Sequence, residues 1–108
     1  MEDEFNEKLL NIVDKVLKNA FGESAAFVIY SYLLVGHSLK REEIPEKLDS
    51  FAKGLEKFSA GAHVIEGLIL KDLYSSFGLQ LKSTEVSGNF VDCVLKLKEE
   101  IVPPFPLP

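Results

Sequence analysis

Few side chains in this sequence could carry out chemistry, and the histidines come first among them. The 108 residues include two His and one Cys, and the GxGxxG, P-loop, HExxH, CxxC and GxSxG motifs are all missing. His63 and Glu66 lie three residues apart, so a helix would place both beside one ligand. Di-iron bundles use the reverse order, Glu-x-x-His, twice and with further carboxylates, whereas this pair occurs once. The sequence therefore predicts a hydrogen bond near the surface, with no metal, no cofactor and no catalytic residue.

The single cysteine is the other candidate for reactivity. Cys93 could act as a thiolate beside His63 or His37, as in nucleophilic catalysis. The neighbouring carboxylate of Asp92 disfavours that charged form. An ordinary, partly buried thiol is predicted, and the protein is not expected to be an enzyme.

Tyrosines on an uncharged segment suggest a different kind of site. Tyr30 and Tyr32 offer hydroxyl groups within an otherwise apolar run. A small apolar ligand could bind between the second and fourth predicted helices, with Tyr30, His63 and Glu66 as its polar contacts. This binding function is the alternative to a protein-interaction function.

Charge and hydropathy argue against several classes of function, among them a helix-turn-helix DNA-binding protein. Seventeen acidic and twelve basic residues give a net charge of −5, and no segment forms the basic patch that DNA or RNA binding requires, nor a basic recognition helix. The longest uncharged run, residues 24–39, is shorter than the roughly twenty residues that span a membrane. The acidic start of the sequence does not resemble a signal peptide, and one Cys cannot form an internal disulfide. A cytoplasmic protein that binds neither nucleic acid nor membrane is expected.

The elements that position these residues are predicted to be helices. Apolar residues recur at three- and four-residue steps in five segments, which predicts an all-α, single-domain bundle of about five helices over residues 1–102. The second segment, about 23–35, and the fourth, about 60–77, are nearly uncharged, so both are predicted to lie at the centre of the bundle. Pro45 is expected in the first turn of the third helix. Residues 103–108 form a Pro-rich tail that cannot be helical.

The abundance of apolar residues predicts self-association. A small acidic bundle needs fewer of them for one core, and a two-fold dimer is the commonest way to cover the excess. The alternative is that the Pro-rich tail folds back over the same surface. The predicted interface combines a second apolar edge of the first and fifth helices with the tail: Leu10, Leu17, Val91, Leu95, Val102 and Phe105.

Five short runs between residues 20 and 78 consist mainly of packing and turn residues: Phe21-Gly22-Glu23-Ser24-Ala25, Val28-Ile29-Tyr30-x-Tyr32-Leu33, Glu43-Ile44-Pro45-Glu46, Gly61-Ala62-x-Val64-Ile65-Glu66-x-Leu68-Ile69 and Leu73-Tyr74. In these runs the sequence resembles a small archaeal all-helical domain family of unknown function. That family occurs alone or as an output module on KaiC-like signalling ATPases. The resemblance implies no catalytic residues. It implies a non-enzymatic protein-interaction or signal-output module, with a signalling ATPase as a possible partner.

Overall fold

The computed structural model describes residues 2–79 and 89–101 of the chain. These residues form five α-helices and no strand, which confirms the predicted all-α bundle. A short 3-10 helix, Arg41–Glu43, lies between the second and third of them. The helices are α1 (Glu2–Phe21), α2 (Glu23–His37), α3 (Leu48–Phe58), α4 (Ala62–Ser76) and α5 (Phe90–Ile101).

The first four helices contact one another in a ring, α1 to α2 to α3 to α4 and back to α1, so that α2 and α4 lie opposite each other. α1 packs mainly against α2 and α4, whereas α3 packs mainly against α2, α4 and α5. One continuous hydrophobic core runs between them. Its largest fully buried side chains are Phe5, Leu9, Leu17, Ile29, Leu33, Leu39, Ile44, Phe51, Leu55, Ile69, Leu73 and Leu97.

The two uncharged helices differ in burial. α4 contacts α1, α3 and α5 and buries seven residues, as expected for a central helix. α2 buries only Ala26, Ile29 and Leu33. The prediction that α2 lies at the centre of the bundle is therefore wrong, because α1 and α3 cover only one of its faces.

The third helix begins later than the sequence predicts. α3 starts at Leu48, and Pro45 lies buried in the preceding turn. Glu43 closes that turn, since its Oε1 accepts a hydrogen bond from the N–H of Lys40 at 3.0 Å and its Oε2 pairs with Lys47 Nζ at 3.0 Å. These local bonds stabilise the 3-10 helix at Arg41–Glu43 and the turn after it, so Pro45 lies in that turn and not in the first turn of α3.

One residue of the predicted dimer interface belongs to the core instead. Leu17 is fully buried, because α1 lies between α2 and α4 and packs against both, so its assignment to an exposed edge is wrong. Leu10 and Val91 are partly buried against the core, and Leu95 is 43% exposed. Val102 and Phe105, with the rest of the Pro-rich tail, lie outside the described residues.

Candidate functional site

The outer side of α2 is an exposed apolar surface. Phe27 is 72% exposed and Val35 is 86% exposed, and Val28 and Leu34 are each about half exposed. With the half-buried Ser31 between them, these residues recur at three- and four-residue steps opposite the buried side of the helix. We call this surface the α2 face: Phe27, Val28, Ser31, Leu34 and Val35. Since no Asp, Glu, Lys or Arg occurs between residues 24 and 39, no charge interrupts it.

Charged residues appear only beyond the two ends of the α2 face. Glu23 is exposed at the start of the helix. At the other end, Ser38 adopts a left-handed conformation with φ 50°, and the N–H of Leu39 donates a hydrogen bond to the carbonyl of Leu33 at 3.1 Å. Leu39 returns to the core and Lys40 is exposed. An acidic residue therefore lies beyond one end of the α2 face, and the mixed run Lys40-Arg41-Glu42-Glu43 lies beyond the other.

Glu66 is a buried carboxylate beside an exposed imidazole. Its side chain is 7% exposed, and its Oε1 lies 3.3 Å from Nδ1 of His63, whose side chain is 85% exposed. Its Oε2 is buried and has no hydrogen-bond partner. Burial raises the pKa of Glu66; the nearby charge of Glu56 adds to this rise, whereas His63 opposes it. The predicted pair of His63 and Glu66 is therefore present, but half of the carboxylate is unpaired.

A third potential ligand reaches this pair from the neighbouring helix. Glu56 on α3 places a carboxylate oxygen so that it, a His63 nitrogen and a Glu66 oxygen all lie within 4.8 Å of one another. The three residues line a recess of about 230 Å³ between α3, α4 and the start of α5. The sequence predicted no metal because His63 and Glu66 had no third ligand beside them. Glu56 on α3 provides such a ligand, so that argument no longer holds. Other polar side chains of the recess are Asp49, Lys53 and Asn89.

Tyr30 does not join His63 and Glu66. Its hydroxyl donates a hydrogen bond to Oδ1 of Asp14 on α1 at 3.0 Å. Burial, with this hydrogen bond, raises the pKa of Tyr30. Burial also acts to raise the pKa of Asp14, but hydrogen bonds from Lys18 and Tyr30 outweigh it, so that this pKa is lowered. The three predicted ligand contacts thus lie in two places, and the recess lies between α3, α4 and α5 rather than between α2 and α4.

The cysteine considered for nucleophilic catalysis lies in the core. Cys93 is buried on α5, and its carbonyl accepts a hydrogen bond from the Tyr74 hydroxyl at 3.1 Å.

A second, smaller apolar surface lies on α4, where Val64 is 67% exposed and Leu68 is 44% exposed. Within residues 2–79 and 89–101, none of the helices combines the length and the apolar character needed to cross a membrane.

Comparison with known proteins finds no family model, no curated protein and no solved structure that matches this chain. The resemblance to the archaeal helical domain family therefore stays a prediction.

Proposed function

We propose that this protein is a non-enzymatic interaction module that binds a second copy of itself through the α2 face. The observation that carries the proposal is the exposure of four large apolar side chains on one uncharged helix face. Together they present on the order of a few hundred Å² of apolar surface, the size at which patches on soluble monomers mark interaction sites.

The absence of charge on the α2 face suits a second copy as the occupant. Two chains of net charge −5 repel each other, and the α2 face is a surface on which no like charges would be brought together. In an antiparallel two-fold pair, the end with Glu23 meets the end followed by Lys40. The two helix dipoles are then antiparallel, so the positive end of each lies beside the negative end of the other.

This interface replaces the one predicted on α1 and α5. Leu17 is part of the core and cannot contribute an exposed edge. The four exposed apolar side chains offer on the order of a few hundred Å² per copy, less than the roughly 800 Å² per partner of a standard interface, so a dissociation constant in roughly the micromolar range is expected. A signalling ATPase, which the resemblance implies as partner, would compete with the second copy if it bound the same apolar face.

Aspartate substitutions on the α2 face should abolish the dimer without unfolding the chain. Sedimentation equilibrium from about 1 to about 100 µM should show wild-type mass rising toward twice the 12.0 kDa of one chain. Phe27→Asp and Val35→Asp should stay monomeric, because pairing would bury an uncompensated carboxylate. Val64→Asp is the matched control, since it places the same charge on an exposed valine of α4.

Two results would contradict this proposal. One is a wild-type mass that stays at 12.0 kDa over the whole concentration range. The other is a dimer that persists in Val35→Asp but dissociates in Val64→Asp, which would place the interface on α4.

A further inference from the structure

We propose that Glu56, His63 and Glu66 form a zinc-binding site that links α3 to α4. The proposed self-association does not require a metal ion, so this site would be an additional property of the protein. It lies in the recess between α3, α4 and α5 and shares no residue with the α2 face.

The spacing of the ligand atoms fits the ion. Zinc binds imidazole nitrogen and carboxylate oxygen at about 2.0–2.2 Å, so two ligands of a tetrahedral ion lie about 3.4 Å apart. Nδ1 of His63 and Oε1 of Glu66 are already separated by 3.3 Å. Glu56 supplies a third ligand atom within 4.8 Å of the others, and its exposed side chain has the freedom to close the remaining distance.

The unpartnered oxygen of Glu66 is a second, independent observation that favours a cation at this site. Its Oε2 is buried and has no hydrogen-bond partner, and Glu66 is one of the residues that line the recess. A buried carboxylate oxygen without a donor or cation is costly, because it has lost water and gained nothing in exchange. A metal ion bound through Oε1 would compensate the negative charge that the carboxylate shares with the unpartnered Oε2.

The donor set selects the class of metal. One imidazole nitrogen with two carboxylates suits a divalent transition metal such as zinc, whereas calcium takes six to eight oxygen ligands and magnesium an octahedral set. Three protein ligands leave a fourth position for water. Among the charged residues of the recess, Asp49, Glu56 and Glu66 outnumber the single Lys53, which also favours a cation.

A zinc ion at this site would link α3 to α4 and so stabilise the folded chain. Glu56 belongs to α3, whereas His63 and Glu66 belong to α4, and residues 59–61 connect the two helices. An ion that binds the folded chain stabilises it in proportion to the excess of metal over its dissociation constant. At a hundredfold excess, a rise of roughly 10 °C in Tm is expected.

The test is a titration of chelator-treated full-length protein with zinc chloride, followed by calorimetry and thermal melting. Wild type should bind one equivalent of Zn²⁺ and melt higher with it. His63→Ala, Glu66→Gln and Glu56→Gln should each weaken binding at least about tenfold and lose the rise in Tm. His37→Ala and Glu42→Gln are matched controls, with the other histidine and an exposed glutamate, and should bind as wild type does.

Circular dichroism of each metal-free variant separates loss of a ligand from loss of the fold. Absence of one-to-one zinc binding by the folded wild type would overturn the proposal. Unchanged affinity in folded Glu66→Gln or His63→Ala would do so as well. Val35→Asp should bind zinc normally, so failure of the dimer proposal and failure of the zinc proposal are distinguishable.

Discussion

Replacing Ile29 with Asp is expected to lower the free energy of unfolding by about 4 kcal/mol, whereas the same change at neighbouring Val28 should leave it almost unchanged. Ile29 is fully buried on the side of α2 that packs against the bundle, whereas Val28 is 52% exposed on the α2 face. An aspartate at position 29 would therefore place an unpaired charge in the core. At position 28 the carboxylate would remain in water.

Urea denaturation of both variants at low protein concentration measures this difference. Low concentration keeps self-association from contributing to the apparent stability. A small effect at Ile29 would contradict the description of α2 as a helix with one buried face. A large effect at Val28 in the monomer would show that the second face is also covered within one chain.

A leucine in place of Gly54 is expected to cost about 3 kcal/mol through overpacking. Gly54 is buried in the middle of α3, where α3 crosses α2. A Cβ atom at this position would collide with Cδ2 of Leu33 and lie 3.2 Å from Cδ2 of His37. Leu33 is itself in the core and has little room to move, so the two helices would have to separate.

Gly67 provides the matched control for that substitution. It lies inside α4, and a Cβ there would have no neighbour within 4 Å. Gly67→Leu should leave the stability unchanged or raise it by up to about 1 kcal/mol, because leucine favours the helix more than glycine does. Thermal melting of both variants compares them directly. Equal destabilisation at positions 54 and 67 would show that the close contact between α2 and α3 is absent.

Helical periodicity was sufficient to predict the number of helices in the described residues and most of their bounds. It was insufficient for α2, because an absence of charge is consistent both with a central helix and with one that keeps an apolar face for a partner. Leu17 shows the opposite case: a residue at the edge of the α1 stripe is buried since α1 has two neighbours. Which faces are covered depends on the arrangement of helices, which the pattern of one helix does not contain.

Two of the three residues of the candidate metal site could be related to each other from the sequence. His63 and Glu66 share a helix, so their spacing alone brings them together. Glu56 lies on another helix, and the break at residues 59–61 prevents any helical spacing from relating it to His63. Burial of Glu66 was not predicted, because glutamate is rarely buried. The one local signal was that Glu66 is the only Asp, Glu, Lys or Arg between residues 59 and 70, on a helix predicted to be central.

Disulfide formation at Ser31 tests self-pairing through the α2 face most directly. Ser31 is the middle residue of that face, so an antiparallel two-fold pair brings its two copies together at the axis. At usual helix separations, their Cα atoms would lie about 4–5 Å apart, within reach of a disulfide. Ser24, seven residues away on the same helix, would be about 20 Å from its own copy.

After mild oxidation, denaturing gel electrophoresis without reductant should show a covalent dimer for Ser31→Cys and monomer for Ser24→Cys. Wild type should stay monomeric on the gel, because its one cysteine, Cys93, is buried. A dimer for Ser24→Cys would mean that the helices pair in parallel. Monomer for Ser31→Cys, at concentrations where wild type sediments as a dimer, would contradict pairing through the α2 face.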